Sequence, residues 1–238
     1  RRADRICVAY EGMERFFPAD KIVMTGNPIR GIIVPATREM KEAGVKEYGL
    51  DPSRKHIFVV GGSLGSSRFN QCMRKWISDG CPGIDGVDVL WQCGKYYKKG
   101  VDEFMAEQKA RNPEVLRHVH HTDFVGRMEL AYAAADVVVS RSGASSVSEL
   151  CAAHKAVIFV PSPNVAEDHQ THNAMALVRK DAALIVKDAD AMEKMIPTAL
   201  DLLKDEARIA ALEENAGKMA LPDAAGKIAE EVYKLIKD

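Results

Sequence analysis

The chain has 238 residues, 47% of them hydrophobic and 28% charged, and its 33 Lys+Arg against 34 Asp+Glu give a formal net charge of -1. That length and balance suit a globular protein with a sizeable core and exclude disordered, collagen-like and mini-protein classes. A near-neutral charge also argues against a nucleic-acid binder that neutralises many phosphates.

Taken in chain order, short apolar runs predict strands at Ile6–Tyr10, Ile22–Thr25, His56–Gly61, Val87–Gln92, Val115–His120, Asp136–Ser140, Ala156–Val160 and Ala183–Val186. Continuous runs such as Ile57-Phe58-Val59-Val60 and Val137-Val138-Val139 suit parallel strands covered on both faces. Helical patterns lie between them at Thr37–Tyr48, Ser67–Ser78, Tyr97–Ala110, Met128–Ala135, Ser145–Ala153, Thr171–Lys180 and Asp190–Lys204. From Asp205 onward an Ala-, Glu- and Lys-rich tail predicts more helix, broken near Leu221-Pro222. This alternation implies right-handed βαβ units and an open α/β sheet.

No apolar run reaches the ~18 residues of a membrane-spanning helix. The opening Arg1-Arg2-Ala3-Asp4-Arg5 does not read as a signal peptide. With no Met at its start, the chain is expected to be a fragment of a longer protein. Gly26-Asn27-Pro28 is a dense breaker signal that fits a hinge before the main α/β unit, or an ordinary strand-to-loop transition. The five cysteines, Cys7, Cys72, Cys81, Cys93 and Cys151, are odd in number and scattered, which fits reduced thiols rather than a disulfide framework.

In open α/β sheets ligands sit at the carboxyl ends of strands, near the switch point. Three loops there are unusual. Gly61-Gly62-Ser63-Leu64-Gly65-Ser66-Ser67 lets backbone approach a ligand and leaves N–H groups at a helix start, where anions are favoured. It is neither GxGxxG nor a Walker A loop, and a plain turn capped by Ser66 or Ser67 accounts for it equally well. Ser140-Arg141-Ser142-Gly143-Ala144-Ser145-Ser146 crowds small and hydroxyl residues at a second helix start, which suits a diphosphate. Glu149, about one turn further in, is placed to accept from a ribose diol, or serves only as a favourable acid near a helix N-terminus. The third loop runs from Pro161 to Asn173. It sets Gln170 and Asn173 at i, i+3, where amides can address sugar hydroxyls. His169 and His172 share that spacing but lack an evident third ligand for a metal. His118, His120 and His121 read as structural.

Together these pieces resemble the C-terminal half of the MurG family of bacterial N-acetylglucosaminyltransferases. The resemblance rests on Gly26-Asn27-Pro28-Ile29-Arg30, Val59-Val60-Gly61-Gly62-Ser63-Leu64-Gly65, Phe124-Val125, Ser142-Gly143-Ala144 through Ser148-Glu149, Phe159-Val160-Pro161 and Asp168-His169-Gln170 with Asn173. It implies a Rossmann-like open parallel sheet, the C-terminal half of a GT-B glycosyltransferase. Residues 1–27 would be the last strand of an N-terminal domain plus a linker, and residues 28–238 the UDP-GlcNAc-binding domain with its C-terminal helices.

The implied reaction is an inverting, metal-independent transfer of N-acetylglucosamine from UDP-GlcNAc to undecaprenyl-linked muramyl-pentapeptide (lipid I), giving lipid II. By the same resemblance Arg30 and Ser63 contact the donor diphosphate. The Val125 main chain reads the uracil edge, and Phe124 walls that pocket. Ala144, Ser145 and Ser146 line diphosphate and sugar, Glu149 binds ribose, and Gln170 and Asn173 hold the sugar. No metal and no cofactor are implied, and no nucleic acid. The acceptor, the catalytic base and the peripheral contact with the cytoplasmic face of the bacterial inner membrane belong to the N-terminal domain, so this chain alone is expected to be inactive. The alternatives are an enzyme like UDP-GlcNAc 2-epimerase and a non-catalytic nucleotide-sugar-binding module. A dinucleotide-dependent oxidoreductase is disfavoured by the missing GxGxxG.

Overall fold

Among the described residues eight strands form two parallel sheets: β1 (Ile6–Val8) with β2 (Ile22–Met24), and a six-stranded sheet of β3 (Lys55–Val60), β4 (Val87–Gln92), β5 (Val119–Thr122), β6 (Val137–Ser140), β7 (Val157–Phe159) and β8 (Leu184–Ile185). The structure is a computed structural model and describes residues 3–163 and 168–237. The larger sheet has the order β5-β4-β3-β6-β7-β8. Successive strands run outward from β3 to one edge, and then from β6 to the other. This is the doubly wound Rossmann order, and its switch point lies between β3 and β6.

The helices are α1 (Arg38–Glu47), α2 (Ser67–Ser78), α3 (Lys98–Arg111), α4 (Pro113–Leu116), α5 (Met128–Ala134), α6 (Ala144–Ala152), α7 (His169–Val178), α8 (Ala191–Leu202), α9 (Glu206–Lys218) and α10 (Ala224–Lys237). The sheet separates two apolar layers, as its pleat of period two requires. Ile57, Val59, Val89, Trp91, Val137 and Val139 face one side and pack with α2 and α8 residues such as Phe69, Met73 and Met195. Phe58, Val60, Leu90, Val138, Val157 and Phe159 face the other, against Tyr132, Val147, Leu150 and Leu177. The continuous apolar runs of the sequence are thus strands buried on both faces.

Most elements fall where the sequence predicts them. One strand does not. β5 begins at Val119 rather than Val115 because the Asn112 side chain accepts from the Val115 N–H at 3.4 Å and caps the short helix α4, with Pro113 at its start. The predicted strand is therefore displaced by a local helix. The tail is two helices, α9 and α10, separated around Leu221-Pro222 as expected. Cys72, Cys81, Cys93 and Cys151 are buried and free, and Cys7 is exposed and free.

Parallel register aligns the carboxyl ends. Val60 lies opposite both Gln92 and Ser140, Gln92 opposite Thr122, and Ser140 opposite Phe159. The loops that follow β3, β4, β5, β6 and β7 therefore leave the sheet at one level and surround a common crevice.

Candidate functional site: a crevice at the carboxyl ends of the sheet

Two cavities open along this crevice. The larger, of about 520 Å³, is lined by both phosphate-type loops: Gly61, Gly62, Gly65 and Ser66 from one, and Arg141, Gly143 and Ser146 from the other. Gln170 and Asp188 close its far side. The smaller, of about 220 Å³, gathers Arg30, Ser63, Phe124, Val125, Ser146 and Glu149, all predicted from sequence, together with Gln92, Met128 and Tyr132, which were not.

The glycine-rich loop has a definite shape because two backbones touch. Gly65 has φ of +78° and Gly94, just after β4, has φ of +91°. A Cβ on Gly65 would lie 2.2 Å from the Cys93 carbonyl oxygen, and one on Gly94 would lie 2.2 Å from that of Leu64. Only glycine fits both places. Asn70 reinforces the contact by donating to the Cys93 carbonyl at 2.9 Å, and Gln92 accepts from the Gly61 N–H at 3.3 Å. Ser66 caps α2, its hydroxyl accepting from the Phe69 N–H at 3.3 Å.

The second loop is capped differently. Gly143 precedes α6, and among the described residues no side chain caps that helix. Its first amides lie where the helix dipole is positive, which favours an anion. Ser142 is fully buried and its hydroxyl donates to the Gln170 carbonyl at 2.8 Å, which ties this loop to α7.

Glu149 lies on the second turn of α6. Its Oε1 accepts from Arg30 Nε at 3.3 Å and Nη2 at 3.2 Å, and its Oε2 accepts from the Tyr132 hydroxyl at 3.3 Å. The Glu149 side chain is 14% exposed and that of Arg30 48%. Asn27 donates to the Ala144 carbonyl at 3.3 Å and to the Ser148 hydroxyl at 3.0 Å, so the segment carrying Arg30 is anchored on α6 itself. Phe124 is exposed at the rim, with Lys95 Nζ 5.2 Å from its ring centroid, and Val125 is buried beneath it.

Four predicted residues stand apart from the smaller cavity. Ala144 and Ser145 are in the first turn of α6 but line neither cavity. Asn173 donates to the Ser142 carbonyl at 3.0 Å and lies beneath the loop. Gln170 lines the larger cavity, with its Oε1 accepting from the Ser162 N–H at 2.9 Å. Residues 164–167 of the third loop lie outside the described residues.

Arg141 is a further polar residue of this crevice, which no sequence motif marks. Its Nη1 donates to the Val160 carbonyl at 2.8 Å and Asp188 at 2.7 Å, and its Nη2 to the Ser66 hydroxyl at 3.0 Å. Arg68 donates to the other oxygen of Asp188 at 3.1 Å. Two guanidinium groups and one carboxylate therefore leave the cavity wall a surplus positive charge, suited to an anion. Arg141 lies in the serine-rich loop after β6, and its reach to three distant segments is a property of the fold that local sequence does not carry. His118 and His120 face the buried carboxylate of Asp88 at 2.8 and 3.5 Å, and His121 faces Asp102 at 2.8 Å. None of the three lines either cavity of the crevice. Among the described residues no cluster of His, Cys, Asp and Glu has the form of a metal site.

A parallel sheet in Rossmann order, with glycine- and serine-rich loops at its switch point, defines a doubly wound α/β domain. Residues 56–228 match the glycosyltransferase family 28 C-terminal domain, and the chain belongs to that family. It is 47% identical over 237 residues, 99% of its length, to the UDP-N-acetylglucosamine--N-acetylmuramyl-(pentapeptide) pyrophosphoryl-undecaprenol N-acetylglucosamine transferase of Bacteroides thetaiotaomicron, of which it covers 61%. It is 42% identical to the protein of that name from Flavobacterium psychrophilum, over all of this chain and 61% of that protein. The chain thus spans about three fifths of these relatives' length. Among solved structures, Acinetobacter baumannii MurG superposes with a TM-score of 0.68 at 23% identity, covering 98% of this chain and 60% of that one. An Anabaena protein solved with UDP and glucose superposes at 0.62 with 13% identity, covering 97% and 63%. Both likenesses are of fold.

Proposed function

We propose that this chain is the donor-binding part of an N-acetylglucosaminyltransferase that moves GlcNAc from UDP-GlcNAc to undecaprenyl-diphosphate-linked MurNAc-pentapeptide. The observation that carries the reading is the smaller cavity, where Arg30, Ser63, Phe124, Val125, Ser146 and Glu149 converge from four separate segments. The names of the relatives support the same donor and acceptor.

In this reading uracil lies against Phe124 and the Val125 main chain. The ribose diol meets Glu149. The diphosphate spans from Ser63 to the uncapped start of α6, with Arg30 free to turn toward it. Ala144, Ser145 and Ser146 carry the N–H groups of that helix start, and the sugar extends toward Gln170, with Asn173 bracing the loop beneath. When the acceptor hydroxyl attacks the anomeric carbon and the bond to UDP breaks, negative charge grows on the leaving diphosphate. Helix amides already aimed there, joined by the Arg30 guanidinium once it turns from Glu149, stabilise that charge and lower the barrier.

Residues 1–27, with the separate β1–β2 pair, are assigned to a second domain and its linker. That domain would supply the base, the acceptor site and the contact with the cytoplasmic face of the membrane. Among the described residues no helix is long and apolar enough to cross a bilayer. Calorimetric titration with UDP, UDP-GlcNAc and NAD tests the reading. Binding of the two uridine nucleotides and not of NAD is expected, with no lipid II formed by this chain alone. Preference for NAD would overturn the donor assignment, and turnover would overturn the division of labour between domains.

A further inference from the structure

Tyr132 is a buried phenol whose partner is Glu149. It sits in the middle of α5, among alanines that give no hint of chemistry. It is only 2% exposed, yet it lines the smaller cavity. Its ring meets Phe58 of β3 edge to face, with centroids 6.1 Å apart and planes at 62°. The core therefore fixes the ring, and the ring fixes the direction in which its hydroxyl donates to Glu149 Oε2.

A buried hydroxyl needs some acceptor, and a purely structural tyrosine would be content with a backbone carbonyl. This one takes the carboxylate oxygen that Arg30 leaves free, since both Arg30 contacts are on Oε1. The two partners differ in mobility. Arg30 is half-exposed on a loop and can turn to a phosphate, whereas Tyr132 is locked in a helix under the sheet. An ionised carboxylate offers about four lone-pair positions. With Arg30 turned away, one is held by Tyr132 and enough remain for both hydroxyls of a ribose.

We infer that Tyr132 is a positioning residue for the ribose of a nucleoside diphosphate, its hydroxyl holding the plane of the Glu149 carboxylate so that the diol meets lone pairs already aimed. The inference rests on the reading of Glu149 as the ribose ligand. Burial, and then the charge of Glu149, push the Tyr132 phenol well above its ordinary pKa, so it remains a donor at neutral pH. Preorganisation of this kind improves affinity by removing the cost of ordering the carboxylate at binding.

The test titrates UDP and 2′,3′-dideoxy-UDP into the wild type, Tyr132→Phe and Glu149→Gln. Tyr132→Phe removes one oxygen and keeps the ring against Phe58. It should weaken UDP about three- to tenfold, the range of one neutral-donor hydrogen bond, and leave the dideoxy analogue unchanged. Because two ligands are compared on one variant, partial loss of folded protein cancels. Equal weakening of both ligands, or of neither, would overturn the positioning role. Glu149→Gln separates the two layers. If it loses UDP selectively while Tyr132→Phe does not, the inference alone fails. If Glu149→Gln also treats both ligands alike, the ribose reading fails and the inference falls with it.

Discussion

Arg30 and Glu149, 119 positions apart in the chain, are joined directly: the guanidinium grips a single oxygen of the carboxylate through Nε and Nη2. The two residues proposed for diphosphate and ribose thus meet each other. The pair neutralises both charges, and its partial exposure makes it cheap to break.

If Arg30 leaves Glu149 for the diphosphate, Arg30→Ala should weaken UDP far more than uridine. A charge-assisted hydrogen bond is worth roughly 1.5–3 kcal/mol, about tenfold to a hundredfold in affinity. Competition binding measures both ligands. Parallel losses would mean that Arg30 serves only to hold Glu149.

The Gly65–Gly94 contact predicts a sharp difference between glycines. Gly94→Ala forces a Cβ to 2.2 Å from the Leu64 carbonyl at a φ of +91°. Strain of this kind costs on the order of 1–3 kcal/mol, and each kcal/mol lowers the melting temperature by about 2–4 °C in a protein of this size. Gly126→Ala, in open space within 4 Å and without a positive φ, should melt as the wild type does. Equal melting of the two variants would contradict the backbone contact.

Asp88 predicts an acid limb to stability. Burial would raise its pKa, but the facing His120, the Asp51 N–H at 2.7 Å and His118 together outweigh burial and lower it from 3.8 to about 2. Arg54 Nε also lies 2.7 Å from Oδ1. A carboxyl depressed in the folded state contributes stability that is fully present above its unfolded pKa. That stability is lost as pH falls toward 2, and amounts to on the order of 2 kcal/mol. Denaturant unfolding between pH 5 and 2, as a titration range of about these limits, should show this loss in the wild type and a flatter slope in Asp88→Asn. The same slope in both would place the acid sensitivity elsewhere.

Metal-free binding is the fourth expectation. Arg30, Arg68, Arg141 and the start of α6 supply positive potential around the two cavities. UDP affinity should be equal with added magnesium and with a chelator. A strict requirement for magnesium would contradict the account of diphosphate neutralisation.

The strands, their order of appearance and the three loops were legible because each rests on local signals: double-sided apolar runs, glycine turns and Ser-rich helix starts. Glu149 was legible by its place in a loop of recognisable type. Tyr132 was not, since one tyrosine among the alanines of Met128–Ala134 carries the pattern of a core helix, and only the fold brings it against α6. Arg141 is similar, because its partners Ser66, Val160 and Asp188 come from distant parts of the chain. β5 was displaced because an Asn-Pro cap overrode the apolar pattern. The engagement of Asn173 with a backbone carbonyl likewise depends on how α7 packs, which side-chain spacing does not reveal.

Amide hydrogen exchange with and without UDP-GlcNAc tests the central claim most directly, because it locates the ligand. The account predicts slowed exchange in residues 61–67, at Val125 and across residues 142–149, which surround the two cavities. The amino ends of β3 and β6 border another cleft, of about 540 Å³, lined by Lys41, Lys55 and Lys155. Protection confined to that cleft, or none at the carboxyl ends of β3 and β6 under saturating ligand, would contradict the account.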